Sequence, residues 1–288
     1  MPIARLNGID INYEVHGDWT PLVLTHGYSA SLEMWRDQVA AFSAKYRLVI
    51  YDSRGHGKTT APTGMEQYGL ARDYVADKLA LMDHLGIDQA YVGGLSMGGM
   101  IAQEFALQHP DRVKALLLFD TGPGMGAMAQ DAERITQFTK MREMMQTLAR
   151  TKGMSAIIDA MRNSPMAFRP AGGASAIPDS VRRHVENMQQ MSVDGYLGGS
   201  KAMQDWSGSL DRLPQITAPT LVLVGEQDNL LAASRAIHSK IAGSRFVLLR
   251  NSGHGTNMWR PDAFAAETLD FLAAVDKGEP IDGEFVVP

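Results

Sequence analysis

The sequence predicts an α/β fold built on a mostly parallel sheet that helices cover on both faces. Short runs of β-branched and aliphatic residues alternate along the chain with longer segments of helical spacing. The short runs are apolar at consecutive positions, which is typical of strands buried on both faces. The alternation stops after Asp120, and no strand-like run appears between residues 122 and 210. The sequence therefore predicts a helical insertion after the sixth strand.

Eight strands are expected, and the first two form an antiparallel hairpin at one edge of the sheet. The hairpin spans residues 3–15 and turns at Asn7 and Gly8, a pair that favours a tight two-residue turn. The six buried strands are expected at residues 22–24, 47–51, 90–93, 115–119, 220–224 and 246–249. The helices between them are expected at residues 68–85, 97–108, 231–241 and 261–275.

This pattern divides the chain into a core, a lid and a tail. We expect residues 1–121 and 211–276 to form the two parts of an α/β core, and residues 122–210 to form a helical lid. Residues 277–288 are expected to be a loosely held tail. Within the lid, helical spacing occurs at residues 135–151, 155–161, 178–191 and 195–205, with a loop at residues 170–173.

Most of the 18 methionines lie in the lid. Their flexible side chains fill irregular gaps, so they form either a core of the lid itself or an adaptable apolar wall over an acyl pocket. The aromatic residues that add apolar surface in either case are Phe138, Phe168, Tyr196 and Trp206. The lid methionines are Met125, Met128, Met141, Met144, Met145, Met154, Met161, Met166, Met188, Met191 and Met203.

Composition excludes several classes of protein. The formal net charge of -5 leaves no basic surplus to neutralise phosphates, so we expect no nucleic-acid partner. Residues 1–8 carry no apolar leader core and no run reaches the ~18 apolar residues of a membrane span, which predicts a cytoplasmic protein with no membrane partner. The chain has no cysteine, so a nucleophile must be an oxygen or nitrogen group. We expect neither a cofactor nor a metal ion.

The motif G-x-S-x-G at residues 94–98 is the strongest chemical signal. It lies between a predicted strand and a predicted helix, which is the context that a nucleophilic serine requires. Gly94 and Gly98 make room for a sharp turn that projects the hydroxyl of Ser96 above the sheet. The amide of Met97, at the start of the following helix, is placed to donate to an oxyanion.

A serine hydroxyl needs a base, and His254 is the best candidate among eight histidines. It lies in the Gly-rich loop 251–255, between the last buried strand and the last helix, where an imidazole can reach the carboxyl edge of the sheet. His26 and His56 lie in other glycine-bordered turns, which indicates structural roles. The remaining histidines are expected to be solvated: His16, His84, His109, His184 and His238.

A buried carboxylate must orient the imidazole and stabilise its charged form. Asp228 follows the strand at residues 220–224, so it emerges on the same edge as Ser96. Asp120 ends the strand before the insertion and is its competitor, and Glu226 is a weaker third candidate. The chain order Ser96, Asp228, His254 is the order expected for hydrolases of this class. The second oxyanion donor is expected to be the amide of Tyr28, in the turn after the third strand.

Five motifs together resemble the α/β-hydrolase superfamily: His26-Gly27, D-S-R-G-H-G at 52–57, G-L-S-M-G-G at 94–99, G-E-Q-D at 225–228, and Gly253-His254. The resemblance covers nearly the whole chain outside the insertion. Residues 93–103 are most similar to 3-oxoadipate enol-lactonases, haloperoxidase-like esterases and small carboxylesterases. The resemblance implies a helical lid over the site and cleavage of an ester or lactone through an acyl-enzyme on Ser96.

Differences between this sequence and other branches of that superfamily reduce the number of reactions expected of it. Haloalkane dehalogenases and epoxide hydrolases carry an aspartate where this chain has Ser96. The carbon–carbon hydrolases of aromatic degradation usually carry an asparagine where this chain has Leu95, and they lack the Arg-Gly-His turn at 54–56. They stay an alternative because Trp259 lies near His254, as an aromatic residue does in those enzymes. A haloperoxidase-like perhydrolase on the same triad is a second alternative.

Charge placement favours a small-molecule ester or lactone with an apolar acyl part. Arg54 is either a clamp for a substrate carboxylate or a residue that stabilises its own turn, and the second role is favoured. No charged pair in the lid is placed to bind an ionic substrate, which argues against strict specificity for 3-oxoadipate enol-lactone. A catalytically idle ligand receptor is the non-enzyme alternative, although the complete triad favours catalysis. The sequence leaves a homodimer open.

Overall fold

The computed structural model describes residues 2–124, 132–163 and 178–288. Within those residues nine strands form one sheet. They are β1 (Ile3–Leu6), β2 (Ile9–His16), β3 (Pro21–Thr25), β4 (Arg47–Tyr51), β5 (Ala90–Leu95), β6 (Val113–Phe119), β7 (Thr220–Gly225), β8 (Arg245–Leu249) and β9 (Gly283–Val287). Their order across the sheet is β1-β2-β4-β3-β5-β6-β7-β8-β9. All neighbours from β4 to β9 are parallel, which confirms the predicted mostly parallel α/β sheet.

The amino-terminal hairpin is confirmed. Strand β1 pairs antiparallel with β2, and Leu6 lies opposite Ile9 across the turn. Asn7 and Gly8 have φ angles of 48° and 78°, and two successive positive φ values match the tight turn that this residue pair favours. The hairpin continues the sheet because β2 also pairs antiparallel with β4.

The expected number of eight strands is wrong because the carboxyl-terminal residues form a ninth. Strand β9 pairs in parallel with β8, with Val286 opposite Leu248, and the amide of Arg250 donates to the carbonyl of Val287 at 2.9 Å. Residues 277–288 are therefore not a loosely held tail. The strand is an exposed edge strand, so it lacks the buried apolar run by which the other parallel strands were identified.

Nine α-helices lie in the described residues. They are α1 (Val39–Ser43), α2 (Val75–His84), α3 (Met97–Gln108), α4 (Ala132–Asn163), α5 (Asp179–Met188), α6 (Val193–Asp205), α7 (Leu231–Lys240), α8 (Thr256–Trp259) and α9 (Pro261–Lys277). A 3₁₀ helix at Leu32–Gln38 precedes α1. No helix in this part of the chain is long and apolar enough to cross a membrane.

Alternate residues of each central strand face two separate hydrophobic cores. Leu22 and Leu24 pack with Trp35 and Phe264 on the face that the 3₁₀ helix, α1 and α9 cover. Val23 packs on the opposite face, which α2, α3 and α7 cover. The consecutive apolar residues of the strands are needed because both faces of the sheet are buried, as the sequence predicts.

The described residues between β6 and β7 contain three α-helices and no strand, which confirms a helical insertion after the sixth strand. The predicted helices at 135–151 and 155–161 form one element, α4, with a kink at Gly153, whose φ is 76°. Residues from α4, α5 and α6 form a third hydrophobic cluster that includes Met154 and Met188. The positions Met125, Met128, Met166 and Phe168 and the predicted loop 170–173 lie outside the described residues.

Two side chains of α3 hold both ends of the lid. Nε2 of Gln103 donates to the carbonyl of Gly122 at 3.2 Å, where the chain enters the lid. Where the chain returns, the hydroxyl of Ser209 donates to Oε1 of Gln103 at 2.7 Å, and the indole of Trp206 donates to Glu104 at 2.7 Å. The lid is therefore anchored to the helix that directly follows β5.

Candidate active site

Ser96 occupies a strained turn between β5 and α3. Its φ of 56° and ψ of -116° are unusual for a residue with a side chain, and such strain is typical of functional turns. The glycines on either side are required by close packing. A Cβ at Gly94 would overlap the backbone of Gly98, and a Cβ at Gly98 would overlap the carbonyl of Thr25. The structure thus gives the serine the backbone that the motif predicts.

Four polar residues lie at the carboxyl ends of four adjacent parallel strands. Ser96 follows β5, Asp120 follows β6, Asp228 lies in the loop after β7, and His254 lies in the loop after β8. In open α/β sheets, binding sites form at this edge, where loops from neighbouring strands converge. The topology therefore brings the predicted nucleophile, base and both candidate acids to one edge of the sheet.

Asp228 is the carboxylate that contacts His254. Nδ1 of His254 lies 3.0 Å from Oδ2 of Asp228, whose side chain is 1% exposed. The other oxygen of Asp228 accepts the amide N–H of Leu230 at 2.8 Å, so the carboxylate is fixed independently of the imidazole. With Asp228 ionised, the proton of a neutral His254 belongs on Nδ1, and Nε2 is left to accept another proton. Glu226, the third candidate acid, lies 4.0 Å from Arg250 and is partly exposed.

Asp228 and His254 are electrostatically coupled. Burial raises the pKa of the Asp228 carboxyl. The charge and hydrogen bond of His254 have the larger effect and hold that pKa below its usual value. Burial lowers the pKa of His254, but the adjacent Asp228 carboxylate outweighs that effect and raises it to about 9. The structure therefore stabilises the imidazolium form, which is the form that a base adopts after it has taken a proton.

The carboxylate of Asp120 binds Gly255 and Thr256 rather than the imidazole of His254. Its Oδ2 accepts the backbone N–H groups of Gly255 and Thr256 at 3.0 and 2.7 Å, and the hydroxyl of Thr256 at 2.8 Å. Burial, together with the nearby charge of Asp228, raises the pKa of Asp120 to about 7. The geometry thus pairs His254 with Asp228 and leaves Asp120 bound to the backbone of the His254 loop.

Ser96 and His254 are not hydrogen bonded to each other in this structure. Within the described part of the chain, the Ser96 hydroxyl has no hydrogen-bond partner, whereas its carbonyl accepts the hydroxyl of Thr121 at 2.7 Å. In hydrolases without bound substrate this contact is often long, and it shortens when the substrate binds. His254 has 38% of its side chain exposed, so a substrate can approach the imidazole.

The turn after β3 lies directly beside Ser96. A Cβ at Gly27 would lie 3.5 Å from Cβ of Ser96, so the following amide, that of Tyr28, is close to the serine. The Tyr28 hydroxyl donates to the carbonyl of Tyr196 in α6 at 2.7 Å, which ties this turn to the lid. Met97 provides the first amide of α3, on the other side of Ser96.

His26 and His56 have structural positions, as their turns predict. His26 is fully buried, with Nδ1 2.7 Å from the carbonyl of Gly27, and its Nε2 accepts the amide of Ser53 at 2.9 Å. His56 is also fully buried, and its Nδ1 lies 3.0 Å from the carbonyl of Arg54. Burial lowers the pKa of His26 to about 4 and that of His56 to about 3, so both are neutral.

Arg54 stabilises its own turn, as the sequence favours. Its Nε and Nη2 each donate to Asp77 at 2.8 Å, and its Nη1 donates to the carbonyl of Gln67 at 2.7 Å. The side chain is 5% exposed, so the guanidinium is fully engaged within the core. A role as a clamp for a substrate carboxylate does not agree with this geometry.

The expectation that His184 is solvated is wrong. It lies on α5 and is buried, and burial together with the charge of His254 lowers its pKa to about 4. The signal that identifies it is helical spacing, because Val181, His184 and Met188 lie three and four residues apart and are all buried.

No cluster of three His, Cys, Asp or Glu side chains within the described ranges is arranged to bind a metal ion.

The chain is similar to hydrolases of known structure over almost its whole length. It is 30% identical to 3-oxoadipate enol-lactonase 2 of Acinetobacter baylyi, over 89% of this chain and 90% of that protein. The enol-lactonase from Burkholderia xenovorans LB400 superposes with a TM-score of 0.80 at 30% identity, over 94% of this chain and 100% of the other. A thermophilic esterase from Thermogutta terrifontis superposes with a TM-score of 0.79 at 25% identity, over 96% and 99% of the two chains. A family model described as the alpha/beta hydrolase fold matches residues 20–261, and the protein belongs to that family.

Proposed function

We propose that this protein is a serine hydrolase that cleaves carboxylic esters or lactones through an acyl-enzyme on Ser96. The observation that carries the proposal is the 3.0 Å contact between His254 and Asp228, in the loops beside the strained turn of Ser96. Similarity to an enol-lactonase and an esterase supports the choice of substrate class. The catalytic roles follow from the chemistry of these three side chains.

Acylation begins when the hydroxyl oxygen of Ser96 attacks the substrate carbonyl carbon. Nε2 of His254 accepts the hydroxyl proton as the new carbon–oxygen bond forms, and Asp228 stabilises the resulting imidazolium. The tetrahedral intermediate then collapses, and the bond to the leaving oxygen breaks. His254 gives its proton to that oxygen, so an alcohol leaves, or in a lactone a hydroxyl group stays attached to the acyl chain.

Deacylation repeats the same steps with water. His254 takes a proton from a water molecule that attacks the acyl-enzyme carbonyl, and it then returns that proton to the oxygen of Ser96. The products are a carboxylic acid and the free enzyme. Each tetrahedral intermediate carries a negative oxygen, and we assign its stabilisation to the amides of Tyr28 and Met97. These amides lie on the two segments that border Ser96.

The favoured substrate has an uncharged, apolar acyl part. Arg54, the candidate clamp for a substrate carboxylate, is held by Asp77. Methionine and aromatic side chains of the lid form a buried hydrophobic cluster against which Tyr28 packs, so the part of the lid next to the turn after β3 is apolar. A substrate carboxylate would lose hydration on entry without gaining Arg54 as a partner.

The proposal is tested by chromophore release from short-chain aryl esters, with a panel of lactones and vinylogous diketones measured beside them. We expect turnover of esters or lactones by the wild type and none above background by Ser96→Ala. Circular dichroism and thermal unfolding establish that the variant is folded. Faster cleavage of a diketone than of any ester would favour a carbon–carbon hydrolase. Binding of ligands without turnover would favour a receptor.

A further inference from the structure

The side chain of Asp120 is hydrogen bonded to both segments that lead to the proposed acid and base. It is fully buried at the end of β6 and has a positive φ of 44°. Its Oδ2 accepts two amides and one hydroxyl from Gly255 and Thr256, at 2.7 to 3.0 Å. Its Oδ1 accepts the amide of Gly225 at 3.2 Å. One carboxylate therefore receives four hydrogen bonds.

These bonds join the loops that carry the proposed base and acid. Gly225 ends β7 and precedes the loop of Asp228, whereas Gly255 directly follows His254. The position of His254 relative to Asp228 should therefore depend on the hydrogen bonds from Asp120 to the backbone of Gly225 and Gly255.

The same residue connects that pair to the serine turn through the backbone of β6. The amide of Ser96 donates to the carbonyl of Phe119, and the hydroxyl of Thr121 donates to the carbonyl of Ser96, at 2.9 and 2.7 Å. The amide of Asp120 donates to Leu223 of β7 at 2.9 Å. Residues 119–121 thus contact Ser96 on one side and both site loops on the other.

We propose that Asp120 is a positioning residue that fixes His254 and Asp228 relative to Ser96. The proposal rests on the proposed function, because it concerns the geometry of the same triad. Above its pKa of about 7 Asp120 is ionised, and this form suits the role because both carboxylate oxygens accept hydrogen bonds and all four partners are donors. An asparagine would place an NH₂ group against donors on one side, so at least one amide would lose its partner. A misplacement of about 1 Å in a catalytic group can cost about 10²-fold in rate.

Asp120 also acts on His254 through its charge. Its proximity contributes to the raised pKa of His254, although less than the carboxylate of Asp228 does. Removing the charge should therefore shift the pH profile of the enzyme towards acid, besides lowering kcat. A residue with only a general structural role would change stability without moving that profile.

The test compares Asp120→Asn with the matched variant Asp77→Asn on an activated aryl ester. Asp77 is also a buried carboxylate with several donors, but its partners are Arg54 and Asn7, which lie outside the loops of Asp228 and His254. We expect Asp120→Asn to lower kcat by about 10²-fold with KM changed by less than about threefold. Its apparent pKa in kcat/KM should fall. Asp77→Asn should lower the melting temperature but keep kcat and the pH profile.

Two further measurements cover the other outcomes. The ¹H NMR resonance of the His254 Nδ1 proton should move or broaden in Asp120→Asn, and this readout needs no turnover, so it separates the proposal from the proposed function. If Asp120→Asn does not fold, Thr256→Val removes one of the four donors and should lower kcat severalfold. A folded Asp120→Asn with wild-type kcat, pH profile and NMR resonance would overturn the proposal. A larger loss in Asp120→Asn than in Asp228→Asn would make Asp120 the acid itself and would also overturn it.

Discussion

The carboxylate of Asp228 and the imidazole of His254 form one unit across two neighbouring loops, with 3.0 Å between Oδ2 and Nδ1. The amide of Leu230 fixes the other carboxylate oxygen, so the acid keeps its orientation when the imidazole moves. This arrangement sets the tautomer of His254 and stabilises its positive charge. The activity and its pH dependence should therefore depend on this pair.

Asp228→Asn should lower kcat on an aryl ester by a factor on the order of 10⁴, because an amide at this position favours the wrong imidazole tautomer. The exposed neighbour Glu226 provides the control, and Glu226→Gln should keep activity within about twofold. Steady-state kinetics on both variants measure the difference. A loss of less than tenfold in Asp228→Asn would remove Asp228 from its proposed role.

The pH profile should be shifted towards alkaline pH. His254 must be neutral to accept the Ser96 proton, and an unperturbed imidazole would give an apparent pKa of about 6.5. Asp228 raises the pKa of His254 to about 9, so kcat/KM should rise with pH through an apparent pKa above 6.5 and fall in acid. In Asp228→Asn, the apparent pKa of the residual kcat/KM should be lower than in the wild type. A wild-type profile that is already flat at pH 6 would contradict the coupling.

The sequence predicts those parts of the structure that leave a local pattern in the residues. Buried parallel strands can be predicted because they are apolar at every position. The turn of Ser96 can be predicted because it requires the glycines on either side. Strand β9 cannot be predicted in this way, because an exposed edge strand follows no burial pattern. His184 has the helical spacing of a buried position beside Val181 and Met188, but that spacing does not reveal whether a polar ring is buried until α5 packs on the core.

The role of Asp120 shows a second limit. A carboxylate at a strand end predicts proximity to the site, and both Asp120 and Asp228 satisfy that pattern. The choice between them depends on the path of the loop after β8, which places Gly255 and Thr256 over Asp120 and the ring of His254 over Asp228. No local sequence pattern specifies that path.

Lys78→Met should stabilise the protein at neutral pH. Lys78 is fully buried on α2, its Nζ has no hydrogen-bond partner among the described residues, and burial lowers its pKa from 10.5 to about 7. The unfolded chain binds this proton up to pH 10.5, so the cost to the fold is complete below pH 7 and declines as pH rises from 7 to 10.5. Removing a buried ammonium group that, within the described residues, has only the ring of Phe105 as a partner, 5.6 Å from Nζ, should raise the free energy of unfolding by about 1–3 kcal/mol.

Denaturant unfolding at pH 7 and pH 9.5 measures this effect. The control is Lys152→Met, which removes the same charge from an exposed position of α4 and should change stability by less than about 0.5 kcal/mol. The stability gain of Lys78→Met should be smaller at pH 9.5 than at pH 7. A loss of stability at pH 7, or a gain that is independent of pH, would show that burial does not lower the pKa of Lys78.

A butyrate ester should be a better substrate than the hemisuccinate ester of the same alcohol. The hemisuccinate carries a carboxylate that would lose its hydration at the site, while Arg54 remains bound to Asp77. We expect kcat/KM to favour the butyrate by about tenfold or more, measured on both esters at one pH. Equal or faster cleavage of the hemisuccinate would point to a cationic subsite and to a dicarboxylate lactone as substrate.

The most direct test of the account is covalent labelling of the nucleophile. A fluorophosphonate reacts with an activated serine, and trypsin releases peptide 79–112, in which Ser96 is the only serine. We predict that mass spectrometry finds one adduct per chain, on this peptide, with labelling lost in Ser96→Ala and strongly slowed in His254→Ala. Ester turnover by a protein that carries no adduct on Ser96, or undiminished labelling in His254→Ala, would contradict the account.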